Sequence, residues 1–241
     1  MRRKNNNLAC VLTACCRPNE LKRTIESLKE HLNPSKIYVY FDRYFDKESF
    51  KGQNESIVIA KNEGCIVKVS EVNDGTQLAV KKALRWAFES ENELFVFEDD
   101  ILATNETYEF WTANKKKLKD DLIIKFGQFY WGYAFTKSTF EKLDGFDLSK
   151  QEDSFYEETK HLGLFKHALE FRMIREILKR KMSYPWDDGY DLCTKILGID
   201  LIIPEKPTTI HIGESSTRLR NNEVKNMPET AFLVARNGKI L

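Results

Sequence analysis

Residues 94–100 read LFVFEDD, four apolar residues running straight into three consecutive carboxylates. An apolar run of this length with turn signals around it reads as a strand buried on both faces. Three earlier segments also read as strands: residues 8–15 (LACVLTAC), an apolar and buried run, 36–41 (KIYVYF, ending at Asp42) and 65–69 (CIVKV). Helical stretches alternate with them. Pro18 stands where the first turn of a helix tolerates proline, and Leu21, Ile25, Leu28 and Leu32 follow at near-helical spacing. A second helix is expected over residues 76–89. Alternation of this kind predicts an α/β fold, a mostly parallel central sheet covered by helices on both faces. In such sheets ligands bind beyond the carboxyl ends of the strands. Arg17, Asp42 and the Glu98-Asp99-Asp100 triplet all fall there.

The rest of the chain is less regular. Residues 129–135 (FYWGYAF) suggest an aromatic-rich strand, and 160–181 a helix. Trp186-Asp187-Asp188-Gly189, a helix to about Leu197, a short strand LIIP and the segment TTIHIG follow. With no repeat and no Pro/Gly/Ser-rich linker, the 241 residues read as a single domain. Residues 8–100 would form one half and 101–220 the other, with a tail over 221–241.

Composition narrows the function. Lys plus Arg number 38 against 37 Asp plus Glu, a formal net charge of +1, which argues against nucleic acid as a partner. No apolar run approaches the ~18 residues that cross a bilayer, and MRRKNNN lacks the apolar stretch of a signal peptide, so a cytoplasmic protein is expected. The five cysteines form no C-x-x-C pair, which speaks against zinc and for reduced thiols. The basic helix over 160–181 reads as a core-facing helix with a solvated charged face; the alternative is peripheral contact with the inner face of a membrane.

Three carboxylates in a row repel one another unless cations or donors neutralise them. A hard divalent ion is one natural partner, and Mg2+ or Mn2+ needs only one or two protein carboxylates when substrate phosphates complete its shell. The other reading is a solvated acidic turn capping a helix near Thr104–Asn114. Asp187, beside the wall of Trp186, has the setting of a general base; Asp187 and Asp188 together also suit a helix N-terminus. His211 lies on an expected strand ahead of Gly213 and the run Ser215, Ser216, Thr217, Arg218, Arg220, whose hydroxyl and guanidinium groups suit phosphate. An ordinary exposed loop is the alternative there. Arg17 can reach a phosphate or a base carbonyl, or lie on the surface. Trp131, Tyr133 and Trp186 are either sugar platforms or core. No glycine-rich dinucleotide fingerprint or P-loop is present.

Taken in order, VLTACCRPNELKRTIESL, the strand ending in FD, ALRWAF followed by LFVFEDDI, and WDDG followed by IPEKPTTIHIG resemble the GT-A fold glycosyltransferases. The nearest pattern is the N-acetylglucosaminyltransferase I type, glycosyltransferase family 13. EDD stands as that family's version of the metal-binding DXD motif. The resemblance implies that Arg17 and Asp42 hold the donor nucleotide and that Glu98 and Asp99 lie near the ribose and donor sugar. It makes Asp100 the direct ligand of Mn2+ or Mg2+, with His211 where many GT-A enzymes place a metal-binding histidine. Asp187 would be the catalytic base, with Asp188 its neighbour, and Ser215, Ser216 and Arg218 would belong to a loop over the diphosphate. The implied activity is inverting transfer from a nucleotide-diphosphate sugar, such as UDP-GlcNAc, to a hydroxyl of a glycan or lipid-linked saccharide. The sequence departs from the pattern at Ala83, where the family has histidine, and at Gly189, where it has a second tryptophan. A sugar-phosphate nucleotidyltransferase and a non-catalytic nucleotide-sugar or glycan-binding module are the rival functions.

Overall fold

A computed structural model describes residues 8–44, 46–127, 132–146, 193–194 and 196–213. The expected helix over 160–181, Trp131, Trp186, Asp187, Asp188, Ser215, Ser216 and Arg218 lie outside the described residues. Compactness divides the chain into Met1–His211 and Ile212–Leu241; the elements below belong to the first unit.

Strand β1 (Ala9–Ala14) lies between β2 (Ile37–Phe41) and β4 (Glu93–Glu98), parallel to both, and β2 pairs in parallel with the edge strand β3 (Ile66–Val69). The sheet continues beyond β4 with β7 (Tyr133–Thr136), β6 (Leu122–Lys125) and β8 (Asp200–Ile202). Among the described residues this makes seven strands in the order β3-β2-β1-β4-β7-β6-β8, in which β7 alone runs antiparallel to its neighbours. The mostly parallel sheet read from the sequence is therefore present. A separate antiparallel pair joins β5 (Ile101–Ala103) to β9 (Thr209–His211).

The strands fill two cores by strict alternation. Val11 of β1, Tyr38 and Tyr40 of β2, and Leu94 and Val96 of β4 enter one core, together with residues of helix α3 (Gly75–Ala87) and helix α5 (Lys137–Gly145). Cys10 and Leu12, Val39 and Phe41, and Phe95 and Phe97 enter the other, against helix α1 (Pro18–Ser27) and helix α4 (Asn105–Asn114). Phe95 meets Trp111 edge-on at 4.8 Å. Each large apolar side chain buried in this way contributes about 1.5–3 kcal/mol. Tyr133, weighed above as a sugar platform, is fully buried on β7 and packs on Phe135 at 5.3 Å. It is a core residue.

Helix α2 (Lys47–Asn62) was not expected from the sequence. Its buried positions are Ser49, Gln53, Ser56 and Ala60, which have helical spacing but small or polar side chains. A hydrophobic pattern therefore had nothing to register. The capping box of Asp46 and Ser49 marks its start. A methyl group on Gly52 would lie 2.5 Å from the Cys16 carbonyl oxygen, so α2 approaches the β1–α1 turn more closely than any side chain allows. Among the described residues no helix is long and apolar enough to cross a membrane.

Candidate active site

The carboxyl ends of β1 and β4 lie side by side, Thr13 opposite Glu98. The pairing continues one step further, because the Asp99 N–H donates to the Thr13 carbonyl at 3.0 Å. The Thr24 hydroxyl of α1 donates to the Asp99 carbonyl, also at 3.0 Å. With its backbone tied on both sides, Asp99 turns its carboxylate toward the loop after β1. There it accepts from the Cys15 N–H at 3.4 Å and from the Arg17 guanidinium. The other guanidinium nitrogen of Arg17 donates to Oδ2 of Asp100, 83 positions away in the chain. The chain leaves β1 through a bend, and Pro18 starts α1 directly behind Arg17. That turn sets Arg17 across the end of β4.

His211 arrives from β9. The antiparallel register sets Ile101 opposite His211, which brings the imidazole Nε2 to 3.3 Å from Asp100 Oδ2. Thr208, just before β9, is well anchored. Its carbonyl accepts from the hydroxyls of Thr104 and Thr107 at the cap of α4, and its N–H donates to the Phe126 carbonyl at 2.8 Å. Thr208 thus holds β9 in place, although nothing in the sequence singled it out.

Asp99 is 1% exposed and Asp100 2% exposed. Burial pushes the Asp99 carboxyl up to about 6 against the pull of Arg17. At Asp100 burial acts in the same sense, but the His211 hydrogen bond and the Arg17 charge outweigh it and hold that carboxyl below its usual value. The same hydrogen bond raises His211 against partial burial, and Glu98 adds to the effect. Asp100 Oδ1 is buried and has no hydrogen-bond partner among the described residues. A buried carboxylate oxygen without a donor is costly, and a bound cation is one way to satisfy it. Among the described residues no three His, Cys, Asp or Glu side chains form a ready metal cage. Asp100 Oδ1 with the adjacent imidazole therefore suits a cation that brings further oxygen ligands of its own.

Asp42 follows directly on β2, the neighbouring strand, and its carboxylate has three backbone partners. Oδ1 accepts the N–H groups of Asp74 at 2.8 Å and Arg43 at 2.9 Å, and Oδ2 that of Gly75 at 3.0 Å. Asp42 thereby caps the N-terminus of α3 from another element. Asp74 in turn binds Ser70 at 2.8 Å and Lys82 at 2.6 Å. The Asn73-Asp74-Gly75 run, not singled out above, could have signalled this turn, in which Gly75 has φ 72°. Asp42→Ala should leave two helix-terminal N–H groups unpaired and cost about 1–3 kcal/mol in urea unfolding. A loss of donor affinity with unchanged stability would instead make Asp42 a nucleotide contact.

The structure thus gathers Arg17, Glu98, Asp99, Asp100 and His211 at one place and sets Asp42 one strand away, anchoring α3. No protein-family model and no curated protein matches the chain. Solved structures do. A mannosyltransferase from Pyrobaculum calidifontis in complex with GDP-Man and Mn2+ is similar at 12% identity and a TM-score of 0.50, over 98% of this chain and 66% of that one. A glucosyl-3-phosphoglycerate synthase from Mycobacterium tuberculosis, in complex with Mn2+, UDP and glucosyl-3-phosphoglycerate, is similar at 14% identity and a TM-score of 0.37, over 49% of this chain and 43% of that one. The fold is GT-A. This chain accordingly spans about two thirds of the mannosyltransferase and less than half of the synthase. The likeness to the N-acetylglucosaminyltransferase I type, read from motifs, is finer than a likeness of folds.

Proposed function

We propose that this GT-A domain is a divalent-metal-dependent glycosyltransferase acting on a nucleotide-diphosphate sugar. One observation carries the reading: at the carboxyl edge of β1 and β4, Asp100 keeps a buried oxygen without a partner among the described residues, beside His211 and Arg17. Asp100 and His211 would hold Mn2+ or Mg2+, as the donor set suits a hard ion completed by phosphate oxygens. When bound, the ion supplies positive charge for the departing diphosphate. Arg17 offers a second cation to the same oxygens, and its planar fork suits phosphate. Cys15, through its N–H, and Thr24, through its hydroxyl, keep Asp99 in position.

In the reaction an acceptor hydroxyl oxygen bonds to the anomeric carbon while the bond from that carbon to the diphosphate oxygen breaks. The nucleoside diphosphate leaves with the electron pair. The hydroxyl proton passes to Asp187, with Asp188 the alternative, and attack from the face opposite the leaving group inverts the centre. The sequence supports Asp187 through Trp186 and the WDD pattern, and supports Ser215, Ser216 and Arg218 as further donor contacts. The resemblance implies a UDP-sugar such as UDP-GlcNAc as donor and a glycan or lipid-linked saccharide as acceptor, with the departures at Ala83 and Gly189 bearing on the choice of sugar. The mannosyltransferase binds GDP-Man.

The test is a thermal-shift screen of UDP-GlcNAc, UDP-glucose and GDP-mannose with Mn2+, followed by analysis of released products. The true donor should raise the Tm with the logarithm of its concentration, and only with metal. Release of free nucleoside diphosphate supports glycosyl transfer. Release of pyrophosphate would make the protein a nucleotidyltransferase, and metal-dependent binding without turnover would make it a binding module.

A further inference from the structure

The single guanidinium of Arg17 bridges two buried carboxylates, one nitrogen to Asp99 and the other to Asp100. Asp100 Oδ2 is shared further with His211. Among the described residues, both cationic partners of Asp100 therefore fall on one oxygen, and the other has no donor. Resting on the function proposed above, we propose that Arg17 is the resident counter-cation of the Asp99–Asp100 pair, so that a divalent cation seats firmly on Asp100 only when a nucleotide diphosphate draws the guanidinium away.

The closeness of the charges carries this, since the Arg17 guanidinium already sits on both carboxylates. A dication on Asp100 Oδ1 would share one carboxyl group with the guanidinium, and like charges that close, in a buried site, oppose each other strongly. A diphosphate brings negative oxygens enough for both. The backbone at Arg17 does not have to move for the transfer: its carbonyl accepts the Leu21 N–H at 3.0 Å as the first bond of α1, and Pro18 fixes the next φ. Rotation of the side chain alone suffices, and that side chain is 19% exposed. By linkage, whatever the nucleotide gains from the metal the metal gains from the nucleotide. Such a site stays quiet toward free cations and toward nucleotide without cation.

The experiment measures Mn2+ binding by electron paramagnetic resonance, with and without UDP or GDP. Arg17→Met should bind nucleotide-free Mn2+ at least about tenfold more tightly than the wild type, the size of effect that one adjacent charge has on a carboxylate's proton affinity. Arg17→Lys, which keeps the charge, should stay near the wild type. The gain in Mn2+ affinity on adding nucleotide should be large in the wild type and shrink by the same factor in Arg17→Met. Because Arg17→Met leaves two buried carboxylates facing each other, the double variant Arg17→Met/Asp99→Asn provides a better balanced check, and it too should exceed the wild type in nucleotide-free affinity. If neither variant binds free Mn2+ more tightly while the wild type binds Mn2+ and nucleotide together, the counter-cation role is overturned and the proposed function stands. If the wild type binds neither UDP nor GDP with Mn2+, the proposed function falls. In that case release by nucleotide falls with it, and a gain in Arg17→Met shows only that the guanidinium opposes the cation.

Discussion

Asp100→Ala should abolish metal-stimulated turnover and weaken Mn2+-dependent donor binding by at least about 10²-fold, because loss of the proposed direct ligand must exceed the 10- to 100-fold cost of losing a residue that merely supports one. The side chain is almost wholly buried, and its Oδ1 has no donor among the described residues. Removing it also releases His211 and one arm of Arg17, which keeps its contact with Asp99. The fold should survive, since the apolar cores on both faces of the sheet do not involve this side chain. Asp100→Asn separates charge from shape: it keeps the volume and one acceptor oxygen, so recovery of stability without recovery of metal binding isolates the ligand role. Calorimetry showing undiminished manganese-dependent donor binding in Asp100→Ala would sink the assignment, and with it the centre of the proposed mechanism.

The second large effect is expected at Asp187. Asp187→Asn removes the proposed proton acceptor but keeps the side-chain volume, so turnover should fall by about 10²- to 10⁴-fold, the usual worth of general-base help. Donor binding measured by thermal shift should be nearly unchanged, which places the loss in kcat rather than in affinity. Asp188→Asn, compared in parallel, decides between neighbours: the variant with the larger kcat loss marks the base. Unchanged turnover in both would require a different acceptor for the proton.

How far the residues alone led depends on what kind of signal each element carries. Strands β1, β2 and β4 were legible because strands buried on both faces are written as continuous apolar runs. The grouping of Arg17 with the acidic triplet followed from where such runs end. Helix α2 was not legible, for its buried face is Ser49, Gln53, Ser56 and Ala60. Strand β6, LIIK, and helix α5 were not anticipated either; the one is four residues long and the other begins directly where β7 ends. Partnership was the least legible property. No pattern in the sequence shows that Arg17 grips Asp99 and Asp100, or that Asp42 caps α3. A side chain's chemistry shows in sequence, whereas its current partner depends on which strand ends the fold brings together.

The β5–β9 ribbon makes the site's completion a late event. Three residue pairs, Ile101 with His211 through Ala103 with Thr209, join stretches more than a hundred positions apart in the chain. Closing so long a loop costs entropy before any contact rewards it, and three pairs return little. The parallel strands β1, β2 and β4, by contrast, lie within the first hundred residues and share large buried surfaces. During synthesis this sheet can consolidate around Asp99 and Asp100 before His211 has left the ribosome. A newly made chain would then carry a settled scaffold whose acidic pair, held by Arg17, waits for its histidine.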